Sequence, residues 1–66
     1  MRFIKLKEVM NITGLARATV YKHIKNGQFP KSVSLGERAV AWLDNEIDEW
    51  MLARIAQRDE AIEEDI

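Results

Sequence analysis

The sequence predicts a mostly α-helical domain with one small β-hairpin. Three observations carry this. Two short apolar stripes at helical spacing are separated by Thr13-Gly14-Leu15. A stretch of period-two alternation follows, broken at Gly36-Glu37. A third helical stripe begins after Asp44.

The first helix is read from "IKLKEVMNITG". Leu6, Val9 and Met10 fall at i, i+3 and i+4 and make one apolar stripe. Gly14 is placed to end it in a left-handed conformation. A helix of about two turns is unstable alone, so it must pack on something.

The second helix is expected from about Ala16 to about Asn26. Val20 and Ile24 lie four apart and share a face, with Leu15 adding to it from the turn. Gly27 follows as a C-terminal stop, and Lys22 and Lys25 suit the negative end of the helix dipole. Two short helices joined by a turn of about three residues containing Gly form a helix-turn-helix.

Beyond it, Pro30 pushes Phe29 into an extended conformation. Val33 and Leu35 alternate with Ser32 and Ser34, and Val40 and Trp42 alternate with Ala39 and Ala41. Alternation on both sides of a Gly-containing turn reads as a β-hairpin. Two strands are not stable alone, so the apolar face of the hairpin is expected to cover the helices.

Asp44 is the expected N-cap of a third helix, and Asn45, Glu46, Asp48 and Glu49 suit its N-terminal dipole. Ile47, Trp50, Met51 and Ile55 form its apolar stripe. Trp42 and Trp50 both lie on apolar faces and are read as core residues. The order is thus helix-turn-helix, two-stranded wing, third helix: a winged helix-turn-helix over residues 1–58. Residues 59–66, "DEAIEEDI", form an acidic tail with little to bury, expected to fray.

Composition narrows the function classes. A chain of 66 residues holds one domain. The absence of cysteine excludes a disulfide framework and a cysteine zinc site, and fits a reducing cytoplasm. No apolar run approaches the ~18 residues of a membrane span, and "MRFIKLKEVM" lacks the apolar core and cleavage site of a signal peptide. The lone His23 has no cysteine or serine partner, and no glycine-rich phosphate loop or metal-ligand spacing is present. An enzyme is therefore not expected, nor a cofactor or metal.

The net charge of −1 hides a division. Residues 1–38 carry eight Lys or Arg against two acids, and residues 39–66 carry two Arg against nine acids. A basic first half points to a polyanion partner. On the second helix, Val20 and Ile24 point inward, which leaves Ala18, Lys22 and Lys25 outward with Arg17 and Tyr21 flanking them. That face holds no carboxylate. A recognition helix uses its N-terminal part to read base edges in the major groove. Arg17 has the fork that matches guanine O6 and N7, and Lys22 the reach for a base or a phosphate. Ala18 permits close approach. Tyr21 and Thr19 offer hydroxyls to phosphate, with Thr19 equally suited to a local role at the helix start. In the wing, Arg38 sits at or near the tip, within reach of a phosphate or the minor groove, and Lys31 at the entry suits a backbone contact. Lys5 and Lys7 read as solvated charge. His23 lies off the basic face and reads as structural.

The span "LKEVMNITGLARATVYKHIKNGQFPKSVSLGERAVAWLDNEIDEW" resembles the AlpA-type phage and prophage regulators. These are small winged helix-turn-helix proteins related to excisionases and to the DNA-binding part of MerR regulators. The most specific pieces are "TGLARATVYKHIKNGQFP", "LGERAVAW" and "EIDEW". The resemblance implies sequence-specific binding of double-stranded DNA and transcriptional control of a prophage or integrated element. It brings RNA polymerase, an integrase and neighbouring copies of the chain into view as protein partners. An excisionase-like DNA-bending factor is the nearest alternative. A protein-interaction module built on the acidic third helix is a more distant one. Relatives commonly carry Ser where Ala16 and Ala18 stand, so the recognition helix lacks a side-chain cap worth about 1 kcal/mol.

Overall fold

The computed structural model describes the backbone of residues 1–65 and the side chains of residues 1–60. The elements in order are β1 (Phe3–Ile4), α1 (Leu6–Thr13), α2 (Arg17–Lys25), β2 (Val33–Gly36), β3 (Ala39–Leu43) and α3 (Asp44–Asp65). The two helices of the helix-turn-helix, the hairpin and the third helix stand in the expected order. The winged helix-turn-helix architecture is present.

Local chemistry explains the helix boundaries. Gly14 is left-handed (φ 74°), and its N–H donates to the Met10 carbonyl at 2.8 Å, which closes α1. Thr13 ties the turn: its hydroxyl donates to the Val9 carbonyl at 2.8 Å and accepts from the Leu15 N–H at 3.3 Å. Gly27 is also left-handed (φ 73°). Its N–H donates to the Ile24 carbonyl at 3.0 Å, and the Gln28 N–H donates to the His23 carbonyl at 2.8 Å. These two bonds form a Schellman motif, which stops α2 and turns the chain toward the wing.

The hairpin differs from expectation in two ways. First, it is part of a three-stranded sheet in the order β1-β3-β2. Strand β1 pairs antiparallel with the end of β3, Phe3 opposite Leu43 and Ile4 opposite Trp42. This strand has only two residues and no alternation, so its sole signal is a partner far along the chain. Second, the wing has no single apolar face. Its register sets Val33 opposite Ala41 and Ser34 opposite Val40, which puts Val33 and Val40 on opposite faces. Val33, Leu35 and Val40 are all exposed. The outer hairpin therefore stands off the helices, and the end of β3, around Trp42, is what enters the core.

That core is small and evenly supplied. Ile4 of β1, Val9 of α1, Val20 of α2, Trp42 of β3 and Ile47 of α3 are buried, with Phe29 from the α2–β2 linker. Leu6, Met10, Leu15, Ile24, Trp50 and Met51 pack around them, half-buried. Every element except β2 thus contributes at least one buried residue, Ala41 joining Trp42 in β3.

The tryptophans fix the linker. The Trp42 indole N–H donates to the Pro30 carbonyl at 3.0 Å, and the Trp50 indole N–H donates to the Gln28 carbonyl at 2.7 Å. Phe29, between those carbonyls, packs edge-on against Trp50 with ring centroids 4.8 Å apart. Trp42 is fully buried and Trp50 half-buried.

Asp44 joins the two ends of the fold. Its Oδ1 accepts the N–H of Arg2 at 2.8 Å and that of Asn45 at 2.8 Å, while its own N–H donates to the Arg2 carbonyl at 2.9 Å. Asp44 is itself the first residue of α3, and its carboxylate bonds the adjacent Asn45 N–H and anchors β1. Helix α3 has 22 residues, about 33 Å at the rise of an α-helix. Ile47 is buried, Trp50 and Met51 are half-buried, and Leu52 and Ile55 are exposed. Beyond Met51 every described residue of the helix is exposed, and the molecule is elongated, with extents of 50 × 24 × 19 Å. The boundary drawn at residue 58 falls inside this helix, which runs on to Asp65. The expectation that the acidic tail has little to bury concerns side chains that, past Glu60, lie outside the described residues. Among the described residues no helix is long and apolar enough to cross a membrane.

Candidate nucleic-acid interface

Helix α2 divides into two faces. Val20 is fully buried, and Leu15 and Ile24 are half-buried beside it. Arg17, Ala18, Tyr21, Lys22 and Lys25 are exposed. Thr19 is half-buried at the edge of the outer face. The inward pair Val20 and Ile24 thus aims the basic residues outward, as helical periodicity requires.

The electrostatics of this face are unrelieved. Among the described residues the ion pairs are Arg2–Glu8, Arg2–Asp44 and Arg58–Asp59. None involves Arg17, Lys22, Lys25, Lys31 or Arg38. Lys22 and Lys25 lie in the last turn of α2, where the dipole favours cations. Arg17 is the first residue of α2, where the dipole opposes a cation, and no acid occupies that turn. Its guanidinium lies over the Tyr21 ring, 5.9 Å from the centroid.

The start of α2 is left bare. Ala16 is the N-cap, with extended backbone (φ −74°, ψ 157°) and no side-chain hydrogen bond. Thr13 does not substitute for the missing cap, because its hydroxyl serves the turn. The free N–H groups at this end add to the positive potential beside Arg17.

The other two basic residues lie outside α2. Lys31 is exposed in the linker that the two tryptophans hold. Arg38 is exposed in the two-residue turn between β2 and β3. It is the one non-glycine residue with positive φ, at 60°, among the described residues. Only Gly adopts that conformation without steric strain, so a long cation is held at the wing tip where glycine fits more easily. Lys5 and Lys7 are exposed at the start of α1.

His23 sits apart from this face. It is half-buried, its ring centroid lies 6.4 Å from that of Trp50, and its Nδ1 is buried without a partner among the described residues. The structure brings into view one group that the sequence reading passed over. Gln28 and Pro30 touch no candidate ligand, yet their carbonyls take the indole bonds that tie the wing to α2 and α3. The signal was the pair of tryptophans, since a buried indole N–H needs an acceptor.

Residues 2–55 match the model of the family described as prophage CP4-57 regulatory protein (AlpA). The chain is similar to the uncharacterized protein ORF88 of Enterobacteria phage P4, with 51% identity over 57 residues. That match covers 86% of this chain and 65% of the phage protein, so the chain spans just under two thirds of that relative. It is also similar to the DNA-binding transcriptional activator AlpA of Escherichia coli (strain K12), with 38% identity over 60 residues. Here 82% of this chain and 86% of the relative are covered.

Proposed function

The chain belongs to the AlpA family of prophage regulatory proteins, and from that premise we propose that it is a sequence-specific DNA-binding transcriptional regulator. In this reading α2 enters the major groove, and the wing follows the backbone or minor groove. The observation that carries it is the outer face of α2, where exposed Arg17, Lys22 and Lys25 have no ion-pair partner among the described residues. A face that served only solvation would gain from interspersed acids, and this face has none. The similarity to an E. coli protein named as a DNA-binding transcriptional activator supports the same reading.

The roles divide by chemistry. Arg17, at the N-terminal end of α2, is placed for a base edge, and the small Ala18 allows close approach. Lys22 and Lys25 neutralise phosphates or, for Lys22, reach a base. The Thr19 hydroxyl is a further donor to the backbone, and Tyr21 stands beside Arg17 on the same exposed face. Lys31 and Arg38 extend the phosphate track along the wing.

The test is fluorescence anisotropy with duplexes tiled across the DNA flanking its gene, against an unrelated duplex, at two salt concentrations. One tile is expected to bind well above the control. A promoter tile supports a transcriptional regulator, and an attachment-site tile supports an excisionase-like bending factor. Lys25→Ala is expected to weaken all duplexes alike and lower the salt slope by about 1. Arg17→Ala is expected to cost about 1–3 kcal/mol on the tight tile and relax one base pair. Unchanged affinity in both variants removes α2 as the interface.

A further inference from the structure

We propose that Tyr21 acts through its ring rather than its hydroxyl, as the residue that positions the Arg17 guanidinium for a base edge. The inference rests on the DNA-binding reading above and names the determinant of its specificity.

Arg17 and Tyr21 are one turn apart on the exposed face of α2, and the guanidinium carbon lies 5.9 Å from the ring centroid. That is within the range of a cation–π contact. The arrangement matters because of what it leaves free. A carboxylate would hold the guanidinium by its in-plane N–H groups, the same groups that pair with guanine. An aromatic ring holds only the flat face, so the planar fork of donors stays available. No ion pair or side-chain hydrogen bond engages Arg17 among the described residues, and the Tyr21 hydroxyl has no partner there either.

The position of Arg17 strengthens the argument. It is the first residue of a helix whose first turn holds no acid, so neither the dipole nor a neighbouring charge fixes its side chain. Without Tyr21 the long side chain would sample many rotamers and lose that freedom on binding. With the ring beneath it, part of that ordering is present before DNA arrives.

The experiment compares Tyr21→Phe, which keeps the ring, with Tyr21→Leu, which removes it. Tyr21 is exposed, so both variants are expected to fold, and circular dichroism checks this. The probe is a duplex selected from a random library by the wild-type protein, together with copies in which each guanine is replaced. Tyr21→Leu is expected to reduce discrimination about two- to fivefold at the base pair that Arg17→Ala also relaxes, with the salt slope unchanged. Tyr21→Phe is expected to retain it. In the free protein, NMR is expected to show a ring-current shift on the Arg17 side-chain protons that Tyr21→Phe keeps and Tyr21→Leu loses. Equal losses in both variants on every duplex, with a lower salt slope, would make Tyr21 a hydroxyl contact to phosphate and overturn the proposal. Wild-type discrimination in Tyr21→Leu would overturn it as well. A wild-type protein that selects no sequence removes the DNA-binding reading itself, a result distinct from either.

Discussion

Ala16 occupies the N-cap of α2 with the extended backbone that a capping serine adopts, yet it has no oxygen to offer the free N–H groups behind it. Ala16→Ser is therefore expected to stabilise the domain by about 1 kcal/mol. For a chain of this size that is a rise of about 4–8 °C in the melting midpoint, readable by circular dichroism. No rise would mean that solvent already satisfies those groups. At this scale the readable residues were those whose reason is local. Gly14 and Gly27 ended their helices where expected, because a left-handed terminator acts on its own turn. Phe29 was read only as extended before Pro30. Its burial depends on Trp50 and Trp42, which lie beyond the hairpin, and no local pattern announces partners at that distance.

At the scale of elements, the three helices were legible because each carries its own stripe, while β1 was not because its reason lies at the far end of β3. Ile4 is buried opposite Trp42, and the backbone of Arg2 is clasped by Asp44 at the start of α3. The same clasp gives this joint a dependence on pH. The Arg2 N–H bond, more than any other influence, holds the Asp44 carboxyl below its ordinary value of 3.8, with further help from the Asn45 N–H and nearby positive charge. Since the folded chain releases this proton more readily than the unfolded chain, the unfolded chain takes it up first as acid is added. The contribution of Asp44 to stability is thus present above about pH 4 and is lost as pH falls through the lowered value. Denaturant melts at pH 7 and pH 3 are expected to show a larger acid loss for the wild type than for Asp44→Asn. Equal losses would place the acid sensitivity elsewhere. The wing was legible as a hairpin but not as a projecting one. Alternation in each strand is visible in the sequence, whereas the register that sends Val33 and Val40 to opposite faces is not.

At the scale of the whole molecule, the division of charge follows the division of structure. The basic residues expected at DNA stand on α2, the linker and the wing tip, whereas the acids concentrate on α3, whose described residues beyond Met51 are all exposed. A long acidic helix lowers the attraction of the molecule for a polyanion, and among the described residues it supplies no buried anchor past Ile47. This supports residues 1–58 as a unit that folds without the residues after it. The Arg58–Asp59 pair that crosses this boundary is exposed on both sides, and such pairs contribute about 0–1 kcal/mol. Ending the chain at Arg58 removes the five acids of residues 59–66 and takes the net charge from −1 to +4. The shortened chain is expected to melt within a few degrees of the full one, since the core residues are all retained. Its association with duplex DNA is expected to be faster at low salt, and the difference is expected to close as salt is raised and the field is screened. Stopped-flow anisotropy at two salt concentrations measures both effects. A faster rate that ignores salt would point to a steric block by the end of α3 rather than to its charge. A chain that no longer folds would make residues 59–66 part of the domain.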